Sequence, residues 1–156
     1  MKVGLEKLES HERVAVKALL DSGATGLFID TTFTKEKGFK MEKLKKPLLV
    51  RNVDGTMNAG GAITHQVECN MFFKGHVERA RIDICNLGKM KVILGMLWLA
   101  AHNLEIDWEK SEVKMTCCPP ICGKGKQEEE KKEVKKVEKD KDKKTLKRLV
   151  PKRFWK

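Results

Sequence analysis

The chain has 156 residues and a formal net charge of +11, which leaves room for one ordinary domain and an appendage. The charge is uneven: residues 123–156 carry 15 Lys/Arg against 7 Asp/Glu, whereas residues 1–122 carry 18 against 15, so the basic excess belongs to the tail. Met1 to Ser10 lacks the apolar core of a secretory signal, and Val92 to Ala101, the longest apolar run, is too short to span a bilayer. Five cysteines without a framework spacing point to free thiols in a reducing compartment, so an intracellular, cytoplasmic protein with no membrane contact is expected.

In chain order, Val14, Val16, Ala18 and Leu20 recur with period two, the pattern of a half-buried strand. Asp21-Ser22-Gly23-Ala24-Thr25-Gly26 follows, and Leu27 to Ile29 reads as the next strand. A carboxylate on a tight turn between two apolar runs needs hydrogen-bond partners, which the Ser22 hydroxyl and the N–H groups of the glycine turn can supply. Asp-Ser-Gly is also ordinary turn chemistry, so by itself the tripeptide fits a plain hairpin equally. Thr31 to Lys37 is a short helix, capped by Asp30 or Thr31, with Gly38 just past its end. Pro47 to Val53 and Ala62 to Met71 are predicted strands around Asp54-Gly55-Thr56-Met57-Asn58-Ala59-Gly60-Gly61, a stretch dense in turn formers. Lys74-Gly75-His76 signals a hairpin between Phe72-Phe73 and Val77. Arg81 to Cys85 and Val92 to Leu94 add strands, and Met96 to His102 adds a helix. Leu104 to Trp108 then pairs with Glu112 to Met115 across Glu109-Lys110-Ser111. Many short strands at close spacing imply an all-β barrel or sandwich.

The pattern breaks after Met115. Cys117-Cys118-Pro119-Pro120 ends it, and Gly123-Lys124-Gly125-Lys126 opens a linker. Gln127 to Lys144 is almost wholly Lys, Glu and Asp, too poor in apolar surface to offset the entropy of ordering, so a disordered or helical charged C-terminal tail is expected. The resulting division is an N-terminal extension over 1–11, a folded domain over 12–118 and a Lys/Glu-rich linker or tail over 119–156.

Three segments carry a family resemblance. Ala18-Leu19-Leu20-Asp21-Ser22-Gly23-Ala24-Thr25-Gly26-Leu27-Phe28-Ile29-Asp30 is the first, and Asn52-Val53-Asp54-Gly55-Thr56 the second. The third is Ile93-Leu94-Gly95-Met96-Leu97-Trp98-Leu99-Ala100-Ala101-His102-Asn103, leading on to Ile106-Asp107-Trp108. In this order over residues 12–118 they resemble the retropepsin family of aspartic proteases, more narrowly the protease segment of gypsy-type LTR-retrotransposon Gag-Pol polyproteins. Leu97 and Leu104 stand where relatives often carry proline, away from the chemistry. The resemblance implies a retropepsin-like closed β-barrel (one acid-protease half) with one or two short helices. It implies Asp21 as the catalytic carboxylate, Ser22 and Gly23 as its turn, and Ala24, Thr25, Gly26 and Ile93 as substrate-binding residues. Asp54, Gly55, Thr56, Gly60 and Gly61 would form a flap over the substrate, while Leu94 and Gly95 pack behind Asp21. Glycines at a flap tip also permit close approach of backbone to a ligand.

This family's chemistry needs two carboxylates sharing one proton around a water. Only one Asp-[Ser/Thr]-Gly occurs: Asp54-Gly55 lacks the hydroxyl residue, and Asp30, Asp83 and Asp107 precede no glycine turn. An active protein must therefore be a symmetric homodimer acting on polypeptide substrates such as polyprotein cleavage sites. The alternative is a catalytically inactive or domesticated fold, used as a dimerisation or nucleic-acid-associated module. The basic tail supports only weak nucleic-acid contact, because acids interrupt every basic run.

Cys117, Cys118 and Cys122 do not have paired Cys-x-x-Cys spacing, and His65 with Cys69, four apart on one strand face, is the other candidate cluster. His11, His76 and His102 have no serine or cysteine arrangement suggesting a triad. Scattered thiols and surface histidines are expected, with no metal and no cofactor.

Overall fold

The computed structural model describes residues 1–51, 54–57, 60–115, 118–120 and 122–124. Ten strands and two short helices follow one another: β1 Lys2–Lys7, β2 Arg13–Asp21, β3 Leu27–Asp30, α1 Thr31–Glu36, β4 Met41–Leu48, β5 Ile63–Phe73, β6 His76–Cys85, β7 Val92–Gly95, α2 Met96–His102, β8 Glu105–Asp107, β9 Glu112–Lys114 and β10 Gly123–Lys124. Hydrogen bonding links the strands in the order β6-β3-β7-β2-β1-β5, and β5 pairs back onto β6. Six strands therefore close into a barrel. Closure removes the unpaired edges of those strands, while β4 lies outside on β5 and β10 outside on β6. β8 and β9 form a separate ribbon. The ring is antiparallel except for two parallel pairs, β2 with β7 and β3 with β6. No helix among the described residues is long and apolar enough to cross a membrane.

The alternation read in β2 reappears as burial of Val16 and Ala18 beside exposed Ala15, Lys17 and Leu19. With Leu5, Ile29, Val67, Met71, Ile82, Val92 and Leu94 they fill the barrel, and each of these seven is at most 1% exposed. Lys74 and Gly75 have φ of 46° and 86°, as a two-residue hairpin of mirror-image turn type requires, so β5 passes straight into β6 with Phe73 opposite His76. Asp30 caps α1 by accepting from the Phe33 N–H at 3.0 Å. Its other oxygen accepts from the Leu87 N–H at 3.1 Å, which ties the β6–β7 connection to the helix start. Gly38 has φ of 65° and Asn103 has φ of 41°, the left-handed conformation that closes a helix end.

The structure departs from the sequence reading in four places. Lys2–Lys7, within the stretch read as an extension, is a ring strand between β2 and β5, with Val3 and Leu5 in the core. The strand before the glycine-rich hairpin spans Met41–Leu48 rather than beginning at Pro47. It is an edge strand whose many lysines face water, so hydrophobicity does not mark it. Its register with β5 shifts between Lys43 and Leu48, around Pro47, which has no N–H to give. β6 begins at His76, well before Arg81, because the tight turn leaves no loop. Gly123 and Lys124, read as the opening of a linker, pair with Val77 and His76. The charged tail and the weak nucleic-acid contact expected of it lie outside the described residues.

Candidate active site

Asp21 is the last residue of β2 and stands half-buried in parallel register with Gly95 of β7. Its Oδ1 accepts the Gly23 N–H at 2.9 Å, and its carbonyl accepts the Ala24 N–H at 3.3 Å. The amide of the glycine turn, rather than the hydroxyl of exposed Ser22, is thus the carboxylate's partner. The next residues are held from behind. The Gly95, Met96 and Leu97 N–H groups donate to the carbonyls of Gly26 at 2.9 Å, Ala24 at 2.7 Å and Thr25 at 3.0 Å. This approach admits no side chain: a Cβ on Gly95 would lie 2.2 Å from the Gly26 oxygen and 2.6 Å from that of Ala24. Leu94 is fully buried, opposite Leu20 and Leu27, and Ile93 is half-buried beside Leu19 and Phe28. Backbone hydrogen bonds therefore hold the Asp21 turn against Ile93, Leu94 and Gly95, with exposed Met96 and Leu97 at the border.

The Asp54–Gly61 stretch is a separate feature. Arg51 bridges Met57 across it, and Gly55 and Gly61 have φ of 82° and 74°. Asp54 Oδ1 accepts from the Thr56 hydroxyl at 2.6 Å and the Thr56 N–H at 2.9 Å, and these bonds hold its carboxyl below the usual range. Asp54, Gly55, Thr56, Gly60 and Gly61 are all exposed. At the root of this stretch Gly60, Gly61, Ile63, Met41, Ile84 and neighbouring residues line a cavity of about 350 Å³, and Asp21 is not among its lining residues.

Burial pushes the thiols up, Cys69 to about 12 and Cys85 and Cys122 to about 11, so none is a ready nucleophile near neutral pH. His65 and Cys69 do not act together: the His65 ring pairs with the Thr64 hydroxyl at 2.8 Å, while Cys69 is sealed in the core. Instead His76 and Glu78 of β6, His102 of α2 and Cys122 converge, their ligand-type atoms all within 4.8 Å of one another. The sequence reading passed over this group because its members come from β6, from α2 and from the residue preceding β10. The only signal available was the His76/Glu78 spacing, which puts both on one face of a strand.

Among solved structures, the chain is similar to the retroviral protease-like domain of Ddi1 from Leishmania major. That match has 16% identity over 79% of this chain and 90% of that chain, with a TM-score of 0.47. It is also similar to a protein of unknown function from Legionella pneumophila, with 14% identity over 65% of this chain and 85% of that chain and a TM-score of 0.36. Residues 17–122, which contain both the Asp21 turn and the Gly95 segment behind it, match the family described as PEG10/RTL1 protease domain. With more than half of its length matched, the chain belongs to this family of retropepsin-like protease domains.

Proposed function

We propose that this chain is an aspartic endopeptidase whose active centre combines Asp21 from two identical copies. The observation that carries the reading is the seating of Asp21, fixed at a strand end by the Gly23 amide and backed by a glycine that no other residue can replace without a clash. That degree of positioning is what a carboxylate needs to hold a water in attacking geometry. A lone carboxylate cannot both remove a proton from water and donate one to the scissile carbonyl. Two placed together share one proton and divide those tasks, titrating as a pair. Met96, 48% exposed, and Leu97, 72% exposed, flank the turn and offer apolar surface that a second copy would cover.

In this reading the exposed Asp54–Gly61 stretch closes over an extended peptide, with Gly55 and Gly61 allowing its backbone to approach the substrate. Ala24, Thr25, Gly26 and Ile93 line the cleft beside the carboxylates, and the substrates are cleavage sites within a polyprotein. The test is incubation of the purified full chain with a peptide library at mildly acidic pH, with and without an aspartic-protease inhibitor. Inhibitor-sensitive cleavage is expected, and Asp21→Asn should lower it at least about a thousandfold while leaving the circular-dichroism spectrum unchanged. Cleavage at a comparable rate by the purified variant rejects the mechanism. A dimeric wild-type chain that cleaves nothing favours the non-catalytic dimerisation module.

A further inference from the structure

We propose that His76, Glu78, His102 and Cys122 form a structural binding site for a divalent cation of the zinc class. Glu78 Oε2 lies 3.3 Å from His102 Nε2 and Cys122 Sγ lies 3.6 Å from the same nitrogen, while the ligand-type atoms of all four residues lie within 4.8 Å of one another. A tetrahedral zinc ion with bonds of about 2.0 Å to nitrogen and oxygen and about 2.3 Å to one sulfur has ligand-to-ligand edges of roughly 3.3–3.6 Å. The two separations at His102 Nε2 fall in that range.

The hydrogen bonding around the group suits a positive centre inside it. His102 Nδ1 faces the Trp98 carbonyl at 2.9 Å, an acceptor only, so Nδ1 carries the ring proton. In a neutral imidazole this leaves a lone pair on Nε2, turned toward the Glu78 carboxylate. Lone pair and anion repel each other unless a proton or a metal ion sits between them, and Cys122 Sγ beside the same nitrogen completes a donor set that a metal engages. His76 makes the same point differently. Its Nδ1 faces Cys118 Sγ at 3.2 Å, while its Nε2 is buried without any hydrogen-bond partner. His76 is 7% exposed and His102 2%, so solvent does not satisfy these atoms.

The outer contacts are those of a metal centre. Each histidine is oriented through its other nitrogen, and Glu78 Oε1 accepts the Trp98 Nε1–H, leaving Oε2 for the ion. Two imidazoles, a thiolate and a carboxylate suit zinc better than calcium or magnesium. Four protein ligands leave no open position, which marks a structural site. On binding, the Cys122 S–H loses its proton to solvent and a sulfur–metal bond forms, so thiolate and carboxylate together balance the dication. The ion would join the start of β6, the end of α2 and the residue preceding β10. It would thus anchor at its far end the helix whose first turn holds the Asp21 loop.

The experiment takes untagged full-length chain, measures bound zinc by mass spectrometry, and records the absorption of the cobalt-substituted protein. Expected are one zinc per chain, the visible bands of tetrahedral cobalt with a thiolate charge-transfer band, and a lower melting temperature on chelation. Cys122→Ser should abolish the charge-transfer band and weaken zinc binding by roughly 100-fold or more, beyond what loss of an outer partner costs. Cys118→Ser should keep both. Because the charge-transfer band is read on folded wild-type protein, thiolate ligation is tested even if a variant misfolds. Less than about a tenth of an equivalent of zinc, with no thermal shift on adding zinc, overturns the site. So does wild-type affinity in Cys122→Ser, or a band that depends on Cys118 instead.

Discussion

Gly95 has less room than the other glycines around Asp21, Gly23 and Gly26. Gly95→Ala places a methyl 2.2 Å from the Gly26 carbonyl oxygen, and because the obstruction is backbone, the turn itself must shift. Overpacking of this kind costs about 1–3 kcal/mol, and here it also displaces the Asp21 carboxylate. We expect a lower denaturation midpoint together with a loss of cleavage larger than the lost stability explains. Glu6 gives a prediction for acid conditions. Its carboxyl is held below its ordinary value of 4.5, chiefly by the Asn70 side-chain amide and then by Arg13. A carboxyl whose folded value is depressed contributes stability above the unfolded value and loses it as pH falls through the folded one. Below about pH 4.5 the wild-type chain should therefore lose stability more steeply than Glu6→Gln, as followed by thermal melts across the acid range. Asp21, Leu94 and Gly95 were legible in the sequence because their types and order are set by a tight local arrangement. Glu78 and Cys122 were not, because each is an ordinary residue until the barrel brings it to a histidine.

β1 is the element with the largest consequence for its size. It lies between β2 and β5 and inserts Leu5, which is fully buried, into the middle of the core. Leu5→Ala should destabilise the fold by about 2–5 kcal/mol, read from chemical denaturation. Such a cost would show that residues before position 12 are part of the domain. Strand recognition from sequence succeeded where one face is apolar and the other wet, as in β2, and where a helix carries its own cap, as Asp30 does for α1. It failed at β1, whose apolar pattern is only Val3 and Leu5, and at β4, an edge strand clothed in lysine. It also failed at β10, whose two residues are placed by pairing with His76 and Val77 rather than by any preference of their own.

At the scale of the whole molecule, the proposed site shared between copies would make activity depend on association. Specific activity should rise steeply with protein concentration and reach a plateau once sedimentation shows the dimer to be complete. A flat profile in a chain shown to be monomeric would exclude the shared centre. The strand order of the ring has a further consequence. Exchanging β1 with β5, β2 with β6 and β3 with β7 reproduces every pairing in it, including both parallel pairs, and β3 and β7 each run into a short helix. The barrel is thus a topological repeat folded about its own internal twofold, with the β2–β3 turn in one half answering to the β6–β7 connection in the other. The first carries Asp21-Ser22-Gly23; the second, Asn86-Leu87-Gly88-Lys89-Met90-Lys91, carries no acid at all. The two halves agree as architecture and differ as chemistry, so the symmetry that would pair one carboxylate with another has to lie between chains rather than within one.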